Sequence, residues 1–239
     1  MMSQSRKSLK RTLSYISDLI FVRVCPVCGS VLSVDERHIC AACMLDLPRT
    51  LMEGERMNSV EQLFAGKTPI ERATGYFYYE RHSRYASILH SLKYRNDPYL
   101  GEWLAGRFAA EIAQSGFFDA IDVVVPVPLH YTKLAQRGYN QSECIARGIA
   151  RTIGVPVVKA LRADKPHATQ TDKSAEERYF NVQGIYSARH AERVEGKHVL
   201  LVDDVVTTGA TLLSCALTLR SAAPGIKISI ATLAVARLE

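Results

Sequence analysis

Apolar residues recur along this chain with two different periods, and the switches between them outline its elements. Ile88, Leu89 and Leu92 repeat at helical spacing and predict a helix over 85–94. Leu104, Phe108 and Ile112 predict a second over 100–113. From residue 120 short apolar runs alternate with helical stripes. Ile121–Val125 reads as a strand that ends at Pro126. Ile145, Ile149 and Ile153 mark a helix over 140–153, followed by a short strand at 155–158. Val199–Val202 reads as a buried strand, a Gly-containing loop follows, and a helix runs from about 211 to 222. A closing strand spans 226–235. Strands alternating with helices predict an α/β domain whose parallel sheet is covered on both faces. Upstream, Gly75–Tyr79 has β character. Leu13, Ile16, Leu19 and Ile20 predict an amphipathic helix over 9–22. Residues 44–70 hold no sustained period, and 52–59 read as a linker, while 163–183 are polar and lack a packing stripe.

Composition narrows the class. Of 239 residues, 47% are hydrophobic and 23% charged, which excludes a mainly disordered chain, a collagen and a coiled coil. No apolar run reaches the length of a membrane span. The basic N-terminus loosely resembles a signal peptide, but Asp18 interrupts the apolar stretch and no small-residue cleavage site follows, so a packing helix and a cytoplasmic location are expected. The net charge of +6 is uneven: residues 1–24 and residues 130–178 each carry +4, and the remainder −2. The central basic cluster fits a phosphate-rich ligand or a nucleic acid, although on charge alone an ordinary solvated face accounts for it.

Four of the six cysteines form two pairs, Cys25-Pro-Val-Cys28 and Cys40-Ala-Ala-Cys43, with 11 residues between them. Two such knuckles at this separation predict a structural zinc site, because each turn aims two sulfurs at one point and two turns complete a tetrahedron. Four thiolates leave no open position for catalysis. Two disulfides would need an oxidising compartment, and a redox motif would not need the second pair. Cys144 and Cys215 sit in apolar helical patterns and read as core residues.

The densest chemistry lies in Val199-Leu-Leu-Val-Asp203-Asp204-Val-Val206-Thr207-Thr208-Gly209-Ala210-Thr211. A strand delivers two adjacent carboxylates to its C-terminal end, where open α/β sheets bind ligands. A small, hydroxyl-rich loop then enters a helix. Its amides and the helix N-terminus form a positive cradle for a phosphate, and Gly209 lets the backbone approach closely. The carboxylates would repel that phosphate, so they are expected to face hydroxyls or a cation. The expected ligand is a phosphorylated polyol. The segment 199–211 is not a Walker loop, since it holds no Gly-Lys-Ser/Thr.

This segment resembles the signature of the type I phosphoribosyltransferases, which bind 5-phosphoribosyl-1-pyrophosphate (PRPP). The resemblance implies that Asp203 and Asp204 engage the ribose hydroxyls, and that Val206, Thr207, Thr208, Gly209, Ala210 and Thr211 hold the 5′-phosphate. Together with the paired cysteines, Leu92-Lys-Tyr-Arg95, Val125-Pro-Val-Pro-Leu-His130 and Gln136-Arg-Gly-Tyr-Asn-Gln141 occur in an order that is similar to the ComF family. That resemblance implies an α/β fold of the type I phosphoribosyltransferase kind with a small zinc-ribbon-like module. It divides the chain into a basic segment (1–24), the zinc module (25–50), a linker and hood (51–119) and the transferase-like domain (120–239). It implies pyrophosphate or acceptor contacts from Val127, Pro128, Leu129 and Arg137, and from Lys173 and Arg178 on a loop that closes over the site. It further implies Mg²⁺ with PRPP, an unidentified nitrogenous acceptor, pentosyl transfer with release of pyrophosphate, and a link to competence and DNA use. The competing expectation is a non-catalytic nucleotide sensor that contacts single-stranded DNA or competence proteins; Tyr76, Phe77, Tyr78 and Tyr79 could stack bases, but a strand packed on the domain is the better reading of that run.

Overall fold

The computed structural model describes residues 22–94, 97–165 and 184–237. The expected N-terminal helix, Lys173, Arg178 and most of the expected closing loop lie outside these residues. Four parallel strands form the main sheet, in the order β1 (Ala73–Tyr79), β6 (Lys227–Ala236), β5 (His198–Val206) and β2 (Val123–Pro126). The expected strand at 155–158 runs beside β2 through a single parallel bridge, Val124 to Val157. A separate antiparallel pair, β3 (Leu161–Ala163) and β4 (Tyr186–Ala188), was not foreseen. Three residues give too short a pattern to show a period.

Residues on β5 alternate between the two faces, as a strand requires. Leu200 and Val202 join a core with the helices α3 (Ala86–Tyr94), α4 (Pro98–Glu111) and α6 (Gln141–Ile153). Val199 and Leu201 join a second core with α7 (Ala210–Ala222). The strand is therefore covered on both sides, which explains its unbroken apolar run. The aromatic run at 76–79 belongs to β1. Tyr76 and Phe77 are buried there, with Tyr76 stacked 4.9 Å from Phe108, so they are core residues and not free stacking surfaces.

The cysteine module shares the first core. Cys25, Leu32, Ile39 and Met44 pack in the same cluster as Leu89, Leu92 and Phe108. Its short helix α1 (Ala41–Leu45) leads into Pro48–Thr50, which runs beside β1: the Tyr78 amide donates to the Pro48 carbonyl at 2.8 Å, and the Thr50 amide to the Tyr76 carbonyl at 3.1 Å. The strap covers what would be a bare sheet edge. The stretch read as a linker is packed as well. Met52 is buried, and the buried Asn58 side chain accepts from Val60 and Glu61 to start the helical turn α2 (Ser59–Gln62).

α4 and α6 pack closely against each other at Gly148. A Cβ at Gly148 would sit 2.1 Å from the Glu102 carbonyl oxygen, on backbone that cannot turn aside. Gly148→Ala gains about 1 kcal/mol of helix propensity and costs about 1–3 kcal/mol of overpacking. We expect a net loss of stability of up to about 2 kcal/mol, read as a lower urea midpoint at unchanged m-value.

Candidate active site at the end of strand β5

β5 carries Asp203 and Asp204 at its C-terminal end, and neighbouring strand residues point to opposite faces. The two acids consequently have different surroundings. Asp203 Oδ1 accepts from the Ser142 hydroxyl at 2.7 Å and from the Asp204 amide at 2.9 Å. Ser142 reaches it from the first turn of α6, whose N-cap Asn140 accepts from the Ser142 amide. Burial, reinforced by the Asp204 charge, pushes the Asp203 carboxyl up to about 7. Asp204 Oδ2 instead lies 3.1 Å from the Lys93 ammonium at the end of α3. One acid is held near neutral pH and the other is paired with a cation, the separation that divides acid and base roles in many sites.

The predicted phosphate loop follows directly. Val206 ends β5, Thr207 and Thr208 are exposed, and Gly209 takes φ +75° as the residue before α7. No side chain among the described residues caps α7, so its first amides remain directed at the loop. Ala210 and Thr211 form the first turn, with Thr211 beside the Tyr186 hydroxyl. A Cβ at Gly209 would meet Leu63 and Phe64 of the hood at 3.3 Å. Gly209 is thus required by its left-handed conformation and by hood packing.

The turn after β2 forms the opposite rim. The Asn140 side-chain amide donates to the Val127 carbonyl at 2.9 Å, and Pro128 and Leu129 lead to His130. His130 Nδ1 lies 2.8 Å from the Thr132 hydroxyl and caps the helix α5 (Tyr131–Arg137), a role that sequence reasoning left blank. Arg137 donates to Gln141 at 3.0 Å and lies over the Tyr94 ring at 5.8 Å. Lys133, one helical turn before Arg137, is held below the usual lysine range by burial, then by the charges of Arg137 and Lys93. Lys93, Lys133 and Ser142 were missed as site residues. Lys93 stood inside a noted motif but had no visible partner, because Asp204 lies 111 positions away.

The four sulfurs of Cys25, Cys28, Cys40 and Cys43 lie within 4.8 Å of one another, close enough to share a metal ion, and none forms a disulfide. Gly29 at φ +76° closes the first knuckle, and its amide donates to the Cys25 carbonyl at 2.8 Å. The amides of Cys40 and Cys43 point at Cys25 Sγ and Cys40 Sγ, both at 3.5 Å. Hydrogen bonds from Ser30 lower Cys28 to about 6, whereas burial pushes Cys40 and Cys43 up. Buried sulfurs that receive amides but resist ionisation alone fit a bound cation.

Comparison with known proteins agrees with this geometry. The family profile described as the phosphoribosyl transferase domain matches residues 101–238, more than half of the chain. This chain belongs to the phosphoribosyl transferase domain family. It is 33% identical over 93 residues to Competence protein F of Haemophilus influenzae, covering 38% of this chain and 41% of that protein. It is 29% identical over 146 residues to the DNA utilization protein YhgH of Escherichia coli strain K12, covering 59% and 63%. Competence protein ComFC of Bacillus subtilis is 29% identical over 90 residues, covering 38% of this chain and 35% of that protein. The expected kinship with ComF proteins is met, and the chain spans about two fifths to three fifths of the length of the first two relatives. A solved allosteric regulatory enzyme of purine biosynthesis shares 25% identity over 54% of this chain and 25% of its own, with a TM-score of 0.35. The fold is the type I phosphoribosyltransferase α/β fold with its parallel sheet. Among the described residues no helix is long and apolar enough to cross a membrane.

The raised Asp203 carboxyl has a consequence for stability. Its unfolded value is near 3.8 and its folded value about 7, so the folded state holds the extra proton between these limits. Stability falls as pH rises through that window. Asp203→Asn keeps an oxygen acceptor for Ser142 and the Asp204 amide while removing the charge. It is expected to raise the melting temperature at pH 8, with the gain vanishing by about pH 4. Parallel melting curves of wild type and variant across this range test the assignment.

Proposed function

We propose that this protein binds PRPP with Mg²⁺ and transfers its phosphoribosyl group to a nitrogenous acceptor. The carrying observation is the end of β5, where two differently poised carboxylates run straight into the left-handed Gly209 and the uncapped start of α7. The loop 206–211 receives the 5′-phosphate through its amides and the hydroxyls of Thr207 and Thr208. Asp204, which faces the Lys93 ammonium, accepts the ribose hydroxyls. Val127, Pro128, Leu129 and Arg137 bound the pyrophosphate side, with Lys173 and Arg178 assigned by family resemblance. Mg²⁺, when bound, neutralises pyrophosphate charge.

In the reaction the C1–O bond to pyrophosphate breaks and its electron pair leaves with pyrophosphate. The acceptor nitrogen supplies the pair for the new C1–N bond and loses a proton. Positive charge develops on the ribose between these events, and the Asp204 carboxylate is the group placed to stabilise it. Asp203 sits near the working pH and is suited to take the proton. The four-cysteine module holds structural Zn²⁺ and keeps the hood in place. The cytoplasm, where PRPP and reduced thiols coexist, is the proposed location.

A second reading is favoured by the relatives' names and by one surface. A groove of about 850 Å³ between the cysteine module, α4 and α6 is lined by Arg37, His38, Trp103, Arg107 and Arg151, with Glu102 and Glu111 paired to Arg151 and Arg107. Cations beside an aromatic ring suit single-stranded DNA. In that reading the PRPP site senses a nucleotide and the groove contacts DNA or a competence protein.

Calorimetry with PRPP and Mg²⁺ is expected to give binding, and a panel of bases and amines to reveal one that releases pyrophosphate. No binding of PRPP or ribose 5-phosphate would overturn the site. Binding without turnover, with DNA affinity that survives the combined Asp203→Ala and Asp204→Ala change, would favour the sensor. Metal analysis of freshly reduced protein is expected to find about one zinc per chain. Chelation is expected to lower the melting temperature, because the module shares a core with α3 and α4.

A further inference from the structure

Two motifs outside the phosphate loop, Leu92-Lys-Tyr-Arg95 and Gln136-Arg-Gly-Tyr-Asn-Gln141, meet in space. The Tyr139 hydroxyl donates to the Leu92 carbonyl at 2.5 Å. The fully buried Leu92 occupies room left by Gly101, where a Cβ would lie 2.9 Å from Leu92 Cδ2. Tyr94, next in sequence to Lys93, lies under the Arg137 guanidinium. The end of α3 is therefore pinned on both sides of Lys93, and the ammonium is delivered 3.1 Å from Asp204. Only a quarter of the Lys93 side chain is exposed and less of Asp204, so solvent screens this pair less than a surface ion pair.

The pair creates a conflict. If Asp204 is to accept ribose hydroxyls, its carboxylate oxygen is already engaged by an ammonium. Releasing that ammonium without a new partner would leave a half-buried cation, which is costly. A new partner is near at hand. Lys133 and Arg137 lie one turn apart on α5, directly after the Val127–His130 turn, and Lys133 feels both Arg137 and Lys93. Arg137 bonds an uncharged amide, Gln141. Three cations so placed favour a polyanion between them.

We propose that Lys93 exchanges partners, from Asp204 in the free protein to the pyrophosphate of bound PRPP. This rests on the PRPP reading above and assigns the hood a direct part in it. The exchange makes the two halves of the ligand help each other. Pyrophosphate draws Lys93 away and frees Asp204 for the diol. Ribose 5-phosphate brings no pyrophosphate and must compete with the ammonium for the same carboxylate.

The test is calorimetry of wild type, Lys93→Met and Lys93→Arg with three probes: PRPP, inorganic pyrophosphate and ribose 5-phosphate, each with Mg²⁺. Loss of a charge-assisted contact is expected to weaken PRPP and pyrophosphate by about 10-fold to 100-fold in Lys93→Met. Ribose 5-phosphate affinity is expected to stay equal or to rise, since its competitor is gone. Lys93→Arg, with its positive charge retained, is expected to recover most of the pyrophosphate affinity. Equal weakening of all three probes would make Lys93 a purely structural residue and overturn the exchange, as would unchanged PRPP affinity. Those outcomes leave PRPP binding itself intact. Wild-type protein that binds neither PRPP nor pyrophosphate would instead remove the functional reading, and the exchange with it.

Discussion

Two adjacent carboxylates at the end of a strand buried on both faces are the constraint around which this molecule is arranged. Ionised side by side and unpartnered, they would repel one another and carry a desolvation cost. The fold separates their fates. Asp203 turns toward Ser142 and holds its proton to near neutral pH, while Asp204 turns toward the Lys93 ammonium. Both partners come from other elements. Ser142 requires α6 to begin where it does, and Lys93 requires the hood to close on the sheet.

The hood is held from several sides. His38 of the cysteine module lies 3.2 Å from Asp97, the residue that caps α4. The Tyr85 hydroxyl, just before α3, donates to the Asp46 carbonyl at 2.7 Å, and Arg49 pairs with Glu111 at 2.8 Å. Individually such contacts contribute little, especially where they face solvent. Their importance is positional, because they join the cysteine module to both ends of the segment that delivers Lys93. The four-cysteine cluster and the strand that carries Asp203 and Asp204 thereby share one packed core.

Where sequence and structure disagreed, the cause was contact at a distance. The polar stretch at 52–59 looked like a linker, since its apolar positions are sparse and aperiodic, yet Met52 and Asn58 are buried against the second core. His130 looked idle, and its role is a helix cap that only a three-dimensional turn reveals. Gly209 was read for a phosphate and for a positive φ. The positive φ was foreseeable from a tight turn, but the packing of Leu63 and Phe64 against it was not.

By itself the sequence determined what is local. The alternation of strand and helix specified a parallel α/β sheet, because period and burial are properties of contiguous residues. The spacing of Cys25, Cys28, Cys40 and Cys43 specified a convergent sulfur cluster, and Val199 to Thr211 specified a strand, two acids and a glycine turn into a helix in one run. Only the tertiary structure decided how those two acids differ, which cation faces them, and that the cysteine module shares the hood's core. These depend on residues tens of positions apart brought to within a few ångströms. Burial, pairing and desolvation are set by such neighbours, and no one-dimensional pattern carries them.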